Sequence, residues 1–248
     1  DDLTVNDGVT VRSEASYIWL QAGDILTVQP GATVQAATYI RLSADSGNAD
    51  AAGGQINLYG TFIAPDPIQV YGNSDQDTIL HDIANGDDGY IFTMDGRGDT
   101  DFYQFEIDTA DRWTANVHDS GANDDGVDRL EINGTDNDDL FLLRKGFVAF
   151  INEGIDGNGD GYDDYVRVNY DESVNGRLRV NAYAGDDAFY VDDNSAITTL
   201  DGGDHSDYFQ FGQLFKSERV AGTDTGILPG DEFETVETTR GFLSNGIS

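Results

Sequence analysis

The chain has 248 residues, of which 47 are acidic and 13 basic, giving a formal net charge of −34, and it has no cysteine. This excludes a disulfide framework or a thiolate metal site, and it argues against nucleic acid or an anionic membrane surface as partner, because no basic stripe exists to meet phosphates. Hydrophobic residues make up 38% and aromatic residues 11% of the chain, which excludes a disordered acidic tail, so the charge has to sit on turns and outward faces around a real core.

Apolar residues recur with a period of two rather than 3.6. In chain order the predicted strands include Val9-Thr10-Val11, Tyr17-Ile18-Trp19-Leu20, Ile25-Leu26-Thr27-Val28, Tyr39-Ile40-Arg41-Leu42 and Gln55-Ile56-Asn57-Leu58-Tyr59. Further along come Tyr90-Ile91-Phe92-Thr93-Met94, Phe102-Tyr103-Gln104-Phe105, Tyr165-Val166-Arg167-Val168 and Tyr208-Phe209-Gln210-Phe211. Clusters of Gly, Asn and Asp separate nearly all of them, which is turn chemistry. No stretch of about ten residues has capped helical spacing, and no apolar run reaches the roughly 18 residues needed to cross a membrane. The reading is all-β. The opening Asp1-Asp2-Leu3 is already within the pattern, so the chain reads as an excised or processed segment.

The segment 1–75 repeats a simple phrase: Ala22-Gly23-Asp24-Ile25-Leu26-Thr27-Val28, then Pro30-Gly31-Ala32-Thr33-Val34, Gly53-Gly54-Gln55-Ile56-Asn57-Leu58-Tyr59-Gly60 and Ile68-Gln69-Val70-Tyr71-Gly72. Strand, short turn, strand without an Asn-Gly hairpin link resembles the coils of a right-handed parallel β-helix of the haemagglutinin and autotransporter style. In such a β-solenoid each inward residue packs on its equivalents above and below. Residues 1–75 are expected to be coils without metal motifs. Residues 76–248 are expected to continue the same stack with Gly/Asp-rich calcium-binding turns and a protruding calcium loop at about 152–165.

A second phrase begins near Gly72, Gly-rich and ending in Asp-x-apolar. Its copies are Gly72-Asn73-Ser74-Asp75-Gln76-Asp77-Thr78-Ile79, Gly96-Arg97-Gly98-Asp99-Thr100-Asp101-Phe102-Tyr103, Gly134-Thr135-Asp136-Asn137-Asp138-Asp139-Leu140-Phe141, Ala182-Tyr183-Ala184-Gly185-Asp186-Asp187-Ala188-Phe189 and Gly202-Gly203-Asp204-His205-Ser206-Asp207-Tyr208-Phe209. The unequal intervals that separate Asp77, Asp101, Asp139, Asp187 and Asp207 are read as one, two, two and one coils in turn. These phrases resemble the glycine- and aspartate-rich nonapeptide of RTX-type secreted proteins. There, glycines aim carbonyls at one point and the Asp adds a charged oxygen, the donor set that calcium prefers. The resemblance implies calcium at the phrase aspartates, with Asp99, Asp136 and Asp204 beside them. In RTX proteins, however, the nonapeptides run consecutively, whereas here whole strands separate them.

One loop carries a denser pattern. Asp156-Gly157-Asn158-Gly159-Asp160-Gly161-Tyr162-Asp163-Asp164 places oxygens of Asp156, Asn158 and Asp160 at loop positions 1, 3 and 5, a turn glycine at 6, the Tyr162 carbonyl at 7 and Asp164 at 9. Position 12 is Arg167 rather than the glutamate of a helix-loop-helix sensor, and strand-like runs flank the loop. A third cluster, residues 119–128, offers Asp119, Asp124 and Asp128 without clean spacing.

From about residue 115 onward, words such as Asn133-Gly134-Thr135-Asp136, Leu140-Phe141-Leu142-Leu143-Arg144 and Leu200-Asp201-Gly202-Gly203 resemble a recurrent module of giant bacterial calcium-binding exoproteins and adhesins. That resemblance implies a non-enzymatic, calcium-stabilised structural or adhesive segment, secreted or at the cell surface, as in an adhesin, surface layer or extracellular filament. Its partners would be calcium, neighbouring repeats or copies of itself, and a cell-surface glycan. A β-helix polysaccharide lyase or uronate epimerase, or a non-catalytic glycan-binding module, stays open beside it. Against the enzyme stand 13 basic residues spread singly except Arg144-Lys145, too sparse for a uronate groove. The tripeptide Arg97-Gly98-Asp99 lies inside a turn phrase, and His81, His118 and His205 are scattered, so none is read as a receptor motif or a catalyst.

Overall fold

The structure is a computed structural model that describes residues 1–47, 51–83, 89–109, 111–122, 125–157, 159, 163–212 and 215. Among the described residues every element is a strand. The first three coils are triangular. They comprise β1 (Leu3–Val5), β2 (Thr10–Ser13) and β3 (Ile18–Gln21); β4 (Ile25–Val28), β5 (Thr33–Ala36) and β6 (Ile40–Ser43); and β7 (Gln55–Leu58), β8 (Thr61–Ile63) and β9 (Ile68–Tyr71). Then the coils flatten to two strands, β10 (Thr78–His81) with β11 (Tyr90–Asp95) and β12 (Phe102–Glu106) with β13 (Trp113–Val117). The reason is chain length: residues 6–17 join β1 to β3 and hold a strand, whereas only residues 107–112 join β12 to β13, too few for a strand flanked by two turns.

β14 (Arg129–Asn133) is followed by three strands in the opposite sheet, β15 (Leu140–Arg144), β16 (Phe147–Ile151) and β17 (Tyr165–Tyr170). The stack then resumes with β18 (Arg177–Asn181), β19 (Ala188–Val191), β20 (Ile197–Asp201) and β21 (Tyr208–Phe211). The eight-stranded sheet runs β1-β4-β7-β10-β12-β14-β18-β20, one strand per coil. The ten-stranded sheet runs β3-β6-β9-β11-β13-β17-β16-β15-β19-β21, and β2-β5-β8 form a short third side. All pairings are parallel except β15 with β16 and β16 with β17. The chain is therefore a parallel β-solenoid, with an antiparallel meander between β13 and β19 that an unbroken stack does not include. A two-residue turn at Lys145-Gly146 starts the meander, with Gly146 at φ +83°, a region that favours glycine.

Register explains the core. Leu26, Ile56, Ile79, Tyr103, Leu130, Leu178 and Thr198 stand above one another along the eight-stranded sheet and are all buried. Each such aliphatic side chain contributes about 1.5–3 kcal/mol through burial, and stacking like on like lets one row serve every coil. The meander is apolar on both faces, since every residue of β16 is buried. Leu142, Phe147, Ala149, Ile151 and Phe215 form a small second core on its outer side.

Candidate metal centre

The five phrase aspartates do not form one row. Asp77, Asp101 and also Asp128 each directly precede a strand of the eight-stranded sheet, namely β10, β12 and β14. Asp139, Asp187 and Asp207 precede β15, β19 and β21 of the ten-stranded sheet. The interval from Asp101 to Asp139 is therefore a change of corner. The longer interval from Asp139 to Asp187 is a single stacking step, because β15 and β19 are direct neighbours.

Within each row the aspartates bond to one another through the backbone. The Gly54 amide donates to Asp77 Oδ1 at 2.6 Å, the Asp77 amide to Asp101 Oδ1 at 2.7 Å, and the Asp101 amide to Asp128 Oδ1 at 2.9 Å. Asn175 Oδ1 ends this row by accepting from the Asp128 amide at 3.0 Å. In the second row the Asp139 amide donates to Asp187 Oδ1 at 2.8 Å and the Asp187 amide to Asp207 Oδ1 at 3.3 Å. The second oxygen often closes its own turn, as the Asn73 amide does on Asp77 Oδ2 and the Thr135 amide on Asp139 Oδ2. The phrase glycine now has a cause. A Cβ on Gly72, Gly96, Gly134 or Gly202 would overlap the carboxylate of the aspartate that closes the same phrase. In the fourth copy that position is Ala182, and Asp187 Oδ2 has no hydrogen-bond partner.

Stacking acids inside a protein is electrostatically costly. Burial is the main cause that pushes Asp77 and Asp187 up to about 6 and Asp139 up to about 7, although donated amides pull back on all three.

Among the described residues the first row has an addition that the second lacks. Asp119, in the turn after β13, meets Asp101 and Asp128, so that one carboxylate oxygen from each lies within 4.8 Å of the others. All three residues are buried, Asp101 to 1% exposure. Asp119 is held in place: the Tyr103 hydroxyl donates to its Oδ2 at 2.9 Å, the Gly121 amide to its Oδ1 at 2.9 Å, and its own amide donates to Ser173 Oγ at 2.7 Å. The Gly96 amide donates to Tyr103 Oη at 2.6 Å, which leaves the phenolic proton for Asp119. Burial, followed by the Asp119 and Asp101 charges, holds that hydroxyl far above its ordinary range. Asp101 Oδ2 has no hydrogen-bond partner. Burial and its neighbours Asp119 and Asp77 raise the Asp101 carboxyl well above the usual carboxylate range, and burial carries Asp128 up to about 6.

A surface cavity of about 510 Å³ opens onto two of the three, Asp119 and Asp128, and is also lined by His118, Asp171 and Ser173. At its rim His118 Nδ1 lies 2.6 Å from Asp171 Oδ2, and this hydrogen bond raises the histidine pKa. Among the described residues no arginine, lysine or histidine pairs with Asp101, Asp119 or Asp128. Three converging buried carboxylates can take up a proton or accept a cation, and an all-oxygen set suits a hard divalent ion.

The other predicted ligands are dispersed. Asp99, Asp136 and Asp204 are exposed on turns, and Asp99 Oδ1 accepts from the adjacent Thr100 amide at 2.7 Å. Asp124, Asn158, Asp160 and Tyr162 lie outside the described residues. At the ends of the loop between β16 and β17, Asp156 is exposed and accepts from the Gly159 amide at 2.7 Å. Asp164 is buried, accepts from the Gly157 amide at 2.7 Å, and has Arg112 Nη1 3.8 Å from its Oδ1. The sequence reading missed the link from Asp128 to Asp101. The signal was Asp128-Arg129-Leu130, which has the same Asp-x-apolar form as Asp77-Thr78-Ile79. It also missed the Tyr103 hydroxyl, because an inward strand position predicts only packing. Comparison with family models, with curated proteins and with solved structures finds no match to this chain.

Proposed function

We propose that this chain is a non-catalytic structural segment whose solenoid is stapled by calcium at Asp101, Asp119 and Asp128, and that it works outside the cell or on its surface within a larger repeat protein. The observation that carries the reading is the buried convergence of Asp101, Asp119 and Asp128, one carboxylate oxygen of each within 4.8 Å of the others. A divalent ion supplies positive charge to all three oxygens at once. It would join the strand-entry corners of β12 and β14 to the turn after β13, locking adjacent coils together. Asp101, Asp119 and Asp128 would supply three of the six to eight oxygens that calcium prefers. Extracellular modules work at calcium dissociation constants of about 10⁻⁴–10⁻³ M, the range expected here.

Such an ion binds only the folded chain and stabilises it by mass action. The test is thermal unfolding in EDTA and in millimolar calcium, with calorimetric titration of calcium into chelated protein. A higher melting point in calcium, with saturable binding, is expected. Equal melting points and no binding heat would sink the reading. Magnesium serves as the comparison, because it is smaller, demands near-ideal octahedral geometry and gives up its water reluctantly.

A further inference from the structure

We propose that the outer face of the eight-stranded sheet over β12, β14 and β18 is a binding site for a carboxylate-bearing sugar of the uronate type. Although the cations are spread singly in sequence, folding gathers Arg129, Arg177 and Arg179 around one groove of about 330 Å³, together with Gln76, Thr78, Phe102 and one acid, Glu131. The register that pairs Leu130 with Leu178 sets Arg129 beside Arg177 on adjacent strands, an arrangement of like charges that is destabilising by itself. The chain carries 47 acidic residues that could have neutralised it. Among the described residues Arg129 makes no ion pair. Arg177 Nη1 donates to Thr199 Oγ1 at 2.6 Å, and Arg179 Nε donates to Asn181 Oδ1 at 2.6 Å. The acids beside Arg179 are Glu131, in register with it, and the exposed Asp201, 3.3 Å from its Nη2.

Guanidinium forks recognise a planar carboxylate by paired N–H donors. Phe102, half-buried and in register with Arg129, offers a ring face for the apolar side of a pyranose, and Thr78 and Gln76 offer donors and acceptors for its hydroxyls. The groove volume is at the lower end of small-molecule sites. A net charge of −34 repels extended polyanions, so the ligand proposed is a short, singly charged acidic sugar and not a long anionic polymer. The groove shares no residue with the Asp101, Asp119 and Asp128 cluster, and it stands or falls independently of calcium.

The test is calorimetric titration of the full chain, in calcium-replete and in chelated buffer, with a glucuronate-containing disaccharide, its neutral glucose counterpart and sodium acetate. We expect the acidic disaccharide to bind with a dissociation constant of about 1 mM or tighter, and both controls to bind at least about tenfold more weakly. The double variant Arg129→Gln, Arg177→Gln should lose about tenfold or more in affinity with an unchanged melting point. If the double variant unfolds, the single exposed change Arg129→Gln serves with a loss in the same direction. Added salt should weaken binding, as screening of an exposed charge requires. Absence of binding heat, equal binding of the neutral sugar, equal binding of acetate, or full affinity in the variants each overturns the proposal.

Discussion

Replacing Asp101 by Asn should change the sign of this residue's contribution to stability depending on whether calcium is present. Asn keeps Oδ1 to accept the Asp77 amide, a 2.7 Å bond, so the backbone row survives. At Oδ2, which has no hydrogen-bond partner, it substitutes an N–H₂ that can donate to Asp119. Two unit charges about 4 Å apart at an effective dielectric of about 20 repel by roughly 4 kcal/mol. Proton uptake by Asp101, whose pKa is raised by burial and by Asp119, limits how much of that cost the chelated protein carries near neutrality. D101N should therefore stabilise the chelated chain by up to about 3 kcal/mol, the scale of a hydrogen bond to a charged group, with the gain largest at alkaline pH, where the wild-type carboxyl ionises. In the wild type, calcium at about 100 times its dissociation constant stabilises by about 2.7 kcal/mol. For a chain of this size that corresponds to roughly 5–10 °C in melting point. In D101N the calcium shift should nearly vanish. The assay is a four-way melt of both proteins in EDTA and in calcium. The reasoning is refuted if D101N retains the full calcium shift, or if it lowers the melting point equally in both buffers, the mark of a purely structural aspartate.

The stacked acids also set a pH dependence opposite to ordinary acid unfolding. Asp77, Asp139 and Asp187 have folded pKa values raised by burial to about 6, about 7 and about 6. Their stabilising contribution is thus full below the ordinary carboxylate pKa near 3.9 and is lost as pH rises through about 6 to 7. Chelated protein should melt lower at pH 8 than at pH 5, with a smaller difference in Asp139→Asn, and a higher melting point at pH 8 would contradict the assignment. His81 lies in the inward row among Phe92, Phe105 and Trp113, with ring centroids 4.6, 5.5 and 4.3 Å away, and neither ring nitrogen has a partner. His81→Phe should raise stability by about 1 kcal/mol in urea unfolding, and a loss would show that the ring nitrogens are satisfied. Arg144 Nε donates to Asp192 Oδ2 at 2.7 Å with both residues buried, so Asp192→Ala should cost about 3–5 kcal/mol. A change below about 1 kcal/mol would mean that water replaces the carboxylate.

The strands were legible because alternation with a period of two survives in any coil that buries one face. Ile25-Leu26-Thr27-Val28 and Tyr165-Val166-Arg167-Val168 are strands where the pattern puts them. The meander was not legible, because Leu140-Phe141-Leu142-Leu143 and Phe147-Val148-Ala149-Phe150 are apolar on both faces, and direction of pairing leaves no mark on composition. Only the Lys145-Gly146 turn hints at it. Sequence spacing was misleading for the same reason. Stacking depends on which corner a turn occupies, so the direct neighbours Asp139 and Asp187 lie further apart in sequence than Asp101 and Asp139, which sit at different corners. The arginine groove was invisible in sequence because Arg129 and Arg177 meet only through the register of β14 and β18.

The recurring Gly/Asp phrase has a complete explanation without any ion. In four of the five copies the glycine vacates the space that the carboxylate fills, one carboxylate oxygen caps an amide of the adjacent coil, and in the first four copies the apolar residue two places on enters the core. This bonding is common to both rows, so the phrase cannot distinguish a metal turn from a hydrogen-bonded one. What distinguishes them is an acid from outside the phrase. Asp119 comes from a longer turn and is held by Tyr103, Gly121 and Ser173. Among the described residues it makes Asp101 and Asp128 part of a group of three, whereas no third acid of that kind joins Asp139 and Asp187. Calcium dependence should therefore follow the irregular residue and not the repeated one. The repeat builds the rod by satisfying amides, and the departure from the repeat places a charge-demanding site at one level of it.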